Sequence, residues 1–464
     1  MIEVRKLIRF IGPGLLISCA YIDPGNYSTS TAAGAQYHYT HMVIILLSNI
    51  FAIILQCLCI KLGTVTGLDL AQNCQKHLPA WWNITNYVLA ELAVIFTDLA
   101  EVVGGAIAFN ILFNIPLNYG VLLTIVDVLV IIFAYNPDGS IKHVRKFELF
   151  VSAFVILTFG CFFLLLTKLE IPTKEVFQGF LPSRVLFKDK NAIYIALGII
   201  GATVMPHSLY LGSNVVRPRL KEFDAKIGHH DPNDFISDYK PSFQAIKYCL
   251  NYSYIELILS LCIIAIFINS SILIVSATAL FSKPGAEDAD LLSIYEMLCL
   301  YISKQAGFIF ALAMFFSSIA AGVICTMSGM MIAEGSINWT INPLLRRLIT
   351  RTISIAPCLF MAIGGGREAI AIILNLSQVV LSLILPFVTL PLLLFTMDKK
   401  IMQVEVEVDN TTTENESSPL IGKKIIDFSN SIGMNVAGFV TWVTISGLNI
   451  YLIIQWLRGE DIKF

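Results

Sequence analysis

The sequence predicts an all-α polytopic membrane protein, built as two inverted five-helix repeats followed by an eleventh helix. Three observations predict it. Of 464 residues, 56% are hydrophobic and 14% charged, against about 25% charged in an ordinary soluble domain; the mean hydropathy is +0.74. Apolar runs long enough to cross a bilayer recur along the whole chain. Two of them, at corresponding places in the two halves, are cut in the middle by proline.

A span needs about 20 apolar residues. Runs of that kind fall near 8–32, 41–64, 86–113, 117–136, 148–168, 190–213, 248–270, 303–334, 348–366, 369–396 and 434–457. They divide the chain into a transmembrane core at 1–400, with repeats at about 8–168 and 190–396, a flexible polar loop at 401–433, and the last helix with a short tail at 434–464. The loops inside the core read as short, which favours one compact bundle. The opening MIEVRKLIRFIGPG has basic residues but no short apolar core followed by a small-residue cleavage site. It reads as the lead-in to a first span.

Basic residues favour cytosolic loops. With Arg5, Lys6 and Arg9 in the cytosol, alternate loops carry Lys142, Arg145 and Lys146, then Arg217, Arg219, Lys221 and Lys226, then Arg346 and Arg347, then Lys399 and Lys400. Glu287, Asp288 and Asp290 fall on the other side. An odd number of spans then places the C-terminus in a lumen or outside the cell. The net charge of −2 gives no bias toward nucleic acid. The ten cysteines are scattered, most of them inside apolar runs, without CxxC or Cys/His zinc spacing, and they read as small hydrophobes.

The two cuts are Asp23-Pro24-Gly25-Asn26 in the first span and Met205-Pro206-His207 in the sixth. Proline removes a backbone donor and glycine loosens the helix, so both spans should unwind near mid-membrane. Interrupted spans at matching places in two halves mark a transporter site, and the arrangement is LeuT-like. An acid in an apolar span costs at least about 2.5 kcal/mol, so Asp23 points to function. The other reading, a carboxylate held by a basic partner, finds no Lys or Arg in the neighbouring sequence. Asn26 offers an amide oxygen, and the carbonyls freed at Ala20 and Ala202 offer more. Met205 adds a thioether, a soft ligand that favours transition metals over Mg²⁺ and Ca²⁺, although methionine in an apolar helix is usually packing. His207 suits a proton shuttle or a buried structural role.

Asp23-Pro24-Gly25-Asn26 within AYIDPGNYSTSTAAGAQY, and GATVMPHSLYLGS around Met205, resemble the two signature motifs of the Nramp family of proton-coupled divalent metal transporters. The resemblance continues through TDLAEVVGGAIA, LLRRLITR and LSQVVLSLILP, and MPHSLYLGS resembles fungal members of the yeast Smf type. It implies that Asp23, Asn26 and Met205 are metal ligands, with the carbonyls of Ala20 and Ala202 and the side chain of Gln378 joining in some states. It implies a proton route through Asp98 and Glu101, three apart on one helical face. Arg347 and Arg351 are placed to pair with those acids, or to act as positive-inside anchors. Magnesium-carrying relatives lack the methionine, so Met205 implies Fe²⁺ or Mn²⁺ as substrate and H⁺ as coupling ion, with no bound cofactor. One departure stands out: Ser318-Ile319-Ala320 replaces a common Gly-Gln-Ser stretch, and Met330 stands where glutamine is usual. An isoleucine cannot hydrogen-bond across the bundle, so the departure bears on gating and coupling.

Residues 403–424 are polar and acidic. Within them Glu416, Leu420 and Ile421 have the form of an acidic dileucine signal, which would engage a sorting adaptor and direct the protein to the vacuole; an ordinary linker is the other reading. Two other functions are left open: an amino-acid carrier on the same fold, and a non-transporting metal sensor. No nucleophile–base pair or cofactor motif suggests an enzyme.

Overall fold

The computed structural model describes residues 10–124, 141–228, 239–285, 290–338, 343–364, 366–408 and 422–458. Among these, eight helices are long and apolar enough to cross a membrane: Met42–Thr66, Ala80–Phe113, Lys142–Leu166, Lys190–Lys226, Phe243–Leu280, Lys304–Ile337, Ile372–Met397 and Ile432–Leu457. They correspond to the second, third, fifth to eighth, tenth and eleventh expected spans. The first span is two helices, Pro13–Cys19 and Pro24–Tyr37. The ninth is Pro343–Gly364, whose apolar stretch is Leu348–Phe360. Of the fourth, 117–124 is helical and the remainder lies outside the described residues.

Two boundaries differ from the sequence reading. The third span begins at Ala80 and the fifth at Ile141, six or seven residues before their apolar runs. A helix continues past the hydrocarbon edge as long as nothing stops it, and polar residues there face water or headgroups. The second span does have a stop. Gly67, at φ +70°, caps it with an N–H to Gly63 O bond of 3.1 Å.

The connections are longer than the sequence reading allowed, and they are folded. Helices Leu70–His77, Thr173–Gly179 and Leu291–Tyr301 lie between spans, and Arg217–Lys226 extends the sixth. Leu70–His77 starts with a full capping box, Asp69 with Gln72. The stretch read as a flexible loop carries two antiparallel strands, β1 (Gln403–Val408) and β2 (Gly422–Asp427), with Val404 opposite Ile426. Valine at every second position of QVEVEV is a strand period. The foot of this hairpin is tied down: Lys61 of the second span donates to Ser429 O at 3.1 Å and Asn430 Oδ1 at 3.0 Å. Residues 409–421, which include Glu416, Leu420 and Ile421, lie outside the described residues.

The spans wrap around the two breaks. The eighth packs on the third and fifth, the seventh on the outer half of the first, and the tenth on the third and on the first half of the sixth. Small residues permit the approach. Gly34 faces Leu273 O, and a Cβ there would come within 2.7 Å of it. At the face where the first span enters, Glu256 of the seventh accepts from the N–H groups of Gly12 (3.0 Å) and Gly14 (2.9 and 2.7 Å). Beside it Arg219 and Glu148 form a buried two-bond ion pair at 2.9 and 2.8 Å. The entry half of the first span is thereby fastened to the seventh, with the Arg219–Glu148 pair packed against Gly12.

Candidate metal-binding site

The first span unwinds between Cys19 and Pro24, and the sixth between Thr203 and Pro206. Each second half restarts with proline at the first helical position, where no N–H is needed. Asp23 is the N-cap of its half and accepts from Asn26 N at 3.0 Å. Met205 holds the equivalent place in the sixth span, makes no capping bond with its side chain, and is fully buried. The first halves end with their carbonyl ends at the breaks, the end of a helix that favours a cation.

Asp23, Asn26, Ala202, Thr203 and Gln378 meet here. The Asn26 amide donates to Asp23 Oδ1 at 2.8 Å and to Ala202 O at 3.0 Å, while Thr203 Oγ1 donates to Asn26 Oδ1 at 3.3 Å. Gln378 of the tenth span lies directly against Gly25, where a Cβ would sit 2.4 Å from its amide. Glycine at that place is what lets the tenth span reach the break. Gln378 Nε2 is held by Ser377 Oγ at 2.9 Å. Asp23 Oδ2 and Gln378 Oε1 are buried and accept no hydrogen bond among the described residues. Ala20, the cap of the first half, is 1% exposed.

Three contacts that the sequence reading missed hold the breaks in place. Gln56 of the second span donates to Tyr21 Oη (3.1 Å), Ser208 O (3.0 Å) and Ser208 Oγ (3.1 Å), so one side chain bridges both broken spans. Ser317 of the eighth span donates to Ile22 O in the unwound stretch. Gly104 of the third packs against Pro24 and Ser318. Gln378 was singled out by the family resemblance; a glutamine inside an apolar run is a signal that Gln56 carries as well. Ser317 gave no signal, because serine is ordinary in membrane helices. The Ser318-Ile319-Ala320 departure therefore begins right beside the residue that touches the first break.

The charged residues form a second centre. Arg351 is bonded to Asp98, lies 3.6 Å from Glu101 and donates to Thr124 O at 3.0 Å, all buried. The side chain of Arg347 lies outside the described residues. His207 Nδ1 is 3.3 Å from Thr97 Oγ1, next in sequence to Asp98. His207 thus connects the sixth-span break to the helix that bears the acids. Asp98, Glu101 and Cys325 bring ligand atoms within 4.8 Å of one another; with Arg351 among them this is an ion-pair cluster rather than an open cation site.

Residues 14–410 match the family described as Nramp, natural resistance-associated macrophage protein-like. The chain belongs to this family. It is 54% identical to the iron transporter SMF3 of Saccharomyces cerevisiae, over 99% of this chain and 98% of that protein. It is 48% identical to the manganese transporter SMF2 of the same yeast, over 99% and 90%. Among solved structures, the Eremococcus coleocola manganese transporter in complex with an aromatic bis-isothiourea substituted compound superposes with a TM-score of 0.78 at 28% identity, covering 98% of this chain and 89% of that one. The inward-facing conformation of Mhp1 shares the fold alone, at a TM-score of 0.53 and 11% identity. The LeuT-like architecture expected from the two broken spans is the fold of this Nramp chain.

Proposed function

We propose that this Nramp chain is a secondary active transporter that moves Fe²⁺ or Mn²⁺ toward the cytosol with protons as the coupling ion. The observation that carries this reading is the pair of buried acceptors at the breaks, Asp23 Oδ2 and Gln378 Oε1, that receive no hydrogen bond among the described residues. A buried acceptor without a donor costs about 1–3 kcal/mol, and a cation between them removes that cost. Met205 supplies the soft atom that distinguishes a transition metal from Mg²⁺ or Ca²⁺. The carbonyls of Ala20 and Ala202 complete an oxygen-rich set. Asn26 binds through Oδ1 after its amide turns away from Asp23. The relatives named as iron and manganese transporters support the same substrates.

In this reading protons travel by way of His207 to Asp98 and Glu101, the acids that Arg351 pairs with. The entry face is cytosolic, and the 416–421 signal directs the protein to the vacuole, so metal leaves the vacuole for the cytosol. An amino-acid carrier would hold a carboxylate at the half-helix N-termini, where Asp23 repels it.

The test is Mn²⁺ uptake into proteoliposomes holding the purified chain, with and without an inward proton gradient. Uptake that rises with the gradient and vanishes in Asp23→Ala supports the proposal. Uptake indifferent to the gradient removes the proton coupling, and a folded wild type with no uptake overturns the transport reading.

A further inference from the structure

Far from the breaks, at the entry face, the seventh span opens onto a groove of about 410 Å³ lined by Phe243, Gln244, Lys247, Tyr248, Asn251 and Tyr252. Gln244, Lys247 and Asn251 follow at helical spacing, so they stand on one face, and all three are exposed. Among the described residues none of the three makes a hydrogen bond or ion pair. The floor beneath them is aromatic. Phe10 stacks on Tyr252 with centroids 5.2 Å apart and meets Tyr248 at 5.6 Å, and Phe223 stacks on Tyr248 at 4.8 Å.

The depth of the groove follows from the length of the helix. Phe243–Leu280 has 38 residues, about 57 Å at 1.5 Å per residue, against about 30 Å of hydrocarbon. With the hydrocarbon centred on the helix, its edge falls about ten residues from the middle, near Tyr252. Lys247 to Tyr252 then sit among the lipid headgroups. Tyrosine belts and snorkelling lysines occupy that layer.

Among the described residues the charge around the groove is positive. Lys240 precedes the helix. Glu222, close by on the helix Arg217–Lys226, is matched twice over, by Arg145 at 2.8 Å and Lys226 at 2.7 Å. The nearest buried acids are already engaged. Asp224 accepts from Tyr239 Oη and from Ser242 N and Oγ, and Glu256 from Gly12 and Gly14. An anion at Lys247 meets no competing carboxylate on its own helix face.

We propose that this groove binds the headgroup of an anionic phospholipid of the entry-side leaflet. Lys247 pairs with the phosphodiester, Gln244 and Asn251 donate to its oxygens, and Tyr248 and Tyr252 carry the glycerol and first acyl carbons. The site rests on membrane embedding alone and does not depend on which metal is carried. Because Phe10, at the start of the first span, forms part of the floor, a bound lipid also steadies the segment that Glu256 fastens.

The test uses the full chain in detergent, read by native mass spectrometry and by melting temperature. Phosphatidylinositol and phosphatidylcholine are added separately, with inorganic phosphate in a third arm. The result expected is retention of phosphatidylinositol at least fivefold above phosphatidylcholine, with a higher melting temperature. Lys247→Gln should erase that preference, while Lys304→Gln at the far end of the bundle leaves it intact. Equal retention of the two lipids, a preference unchanged in Lys247→Gln, or the same protection by phosphate alone would each overturn the proposal. Circular dichroism and unliganded melting of Lys247→Gln confirm that the variant is folded.

Discussion

Glu256 Oε2 accepts the N–H of Gly14 at 2.7 Å, across 242 residues of sequence. This bond, a second from Gly14 and one from Gly12 hold the entry half of the first span. Gly12 has φ +145°, and a Cβ there would sit 2.3 Å from Glu148 Oε2. Gly12→Ala therefore meets both backbone strain, about 1–3 kcal/mol, and a clash with the Arg219–Glu148 pair. Its melting temperature should fall and its uptake should slow; unchanged values for both would show that the fastening plays no part.

Arg351 is the positive charge among Asp98 and Glu101, and it is 1% exposed. Removing one partner of a buried ion pair costs about 3–5 kcal/mol. Arg351→Ala should unfold at a markedly lower temperature than wild type. Arg351→Lys should recover part of the loss, since lysine keeps the charge without the planar fork that also reaches Thr124 O.

In the proposed site Met205 would provide the soft ligand; it stands at the N-cap of Pro206–Asn214 but makes no capping bond with its side chain. Replacing it with alanine leaves an oxygen-only site, which suits hard cations. Met205→Ala should reduce Mn²⁺ uptake and admit Ca²⁺, so the ratio of the two fluxes in paired assays is the informative number. A ratio equal to that of wild type would mean that the thioether is packing.

At the outer end of the first span, His38 stacks on Phe281 and lies 3.8 Å from Glu175. Partial burial lowers its pKa, and Glu175 pulls the other way more weakly. A base whose folded pKa is depressed favours the fold while neutral. Its contribution is present above the usual histidine value of about 6.5 and is lost as pH falls below it. The melting temperature of wild type should drop more between pH 7 and pH 5.5 than that of His38→Gln. Parallel curves would remove His38 from the account.

Much of this was legible in the residues. Proline and glycine announce breaks locally, so Asp23-Pro24-Gly25 and Met205-Pro206 could be read directly. Asp98 and Glu101 were reached through the family resemblance, with Arg347 and Arg351 both left as partners or as anchors; the structure pairs Arg351 with them. Glu256 carried a signal of its own, an acid inside the run 248–270, and was passed over because its partners are backbone N–H groups, which sequence does not distinguish. The Ser317 contact with Ile22 O is of the same kind. The hairpin was hidden by composition: acidic, aromatic-poor sequence suggests disorder, and only the alternation in QVEVEV and the anchor at Lys61 oppose that.

The central claim is that the two breaks form one cation site. The most direct measurement is calorimetric titration of Mn²⁺ into the purified chain, comparing wild type with Asp23→Asn. The account predicts one saturable site in wild type and at least a tenfold loss of affinity in the variant, about 1.4 kcal/mol, at an unchanged melting temperature. Equal affinity in the two proteins would contradict it and place the metal elsewhere.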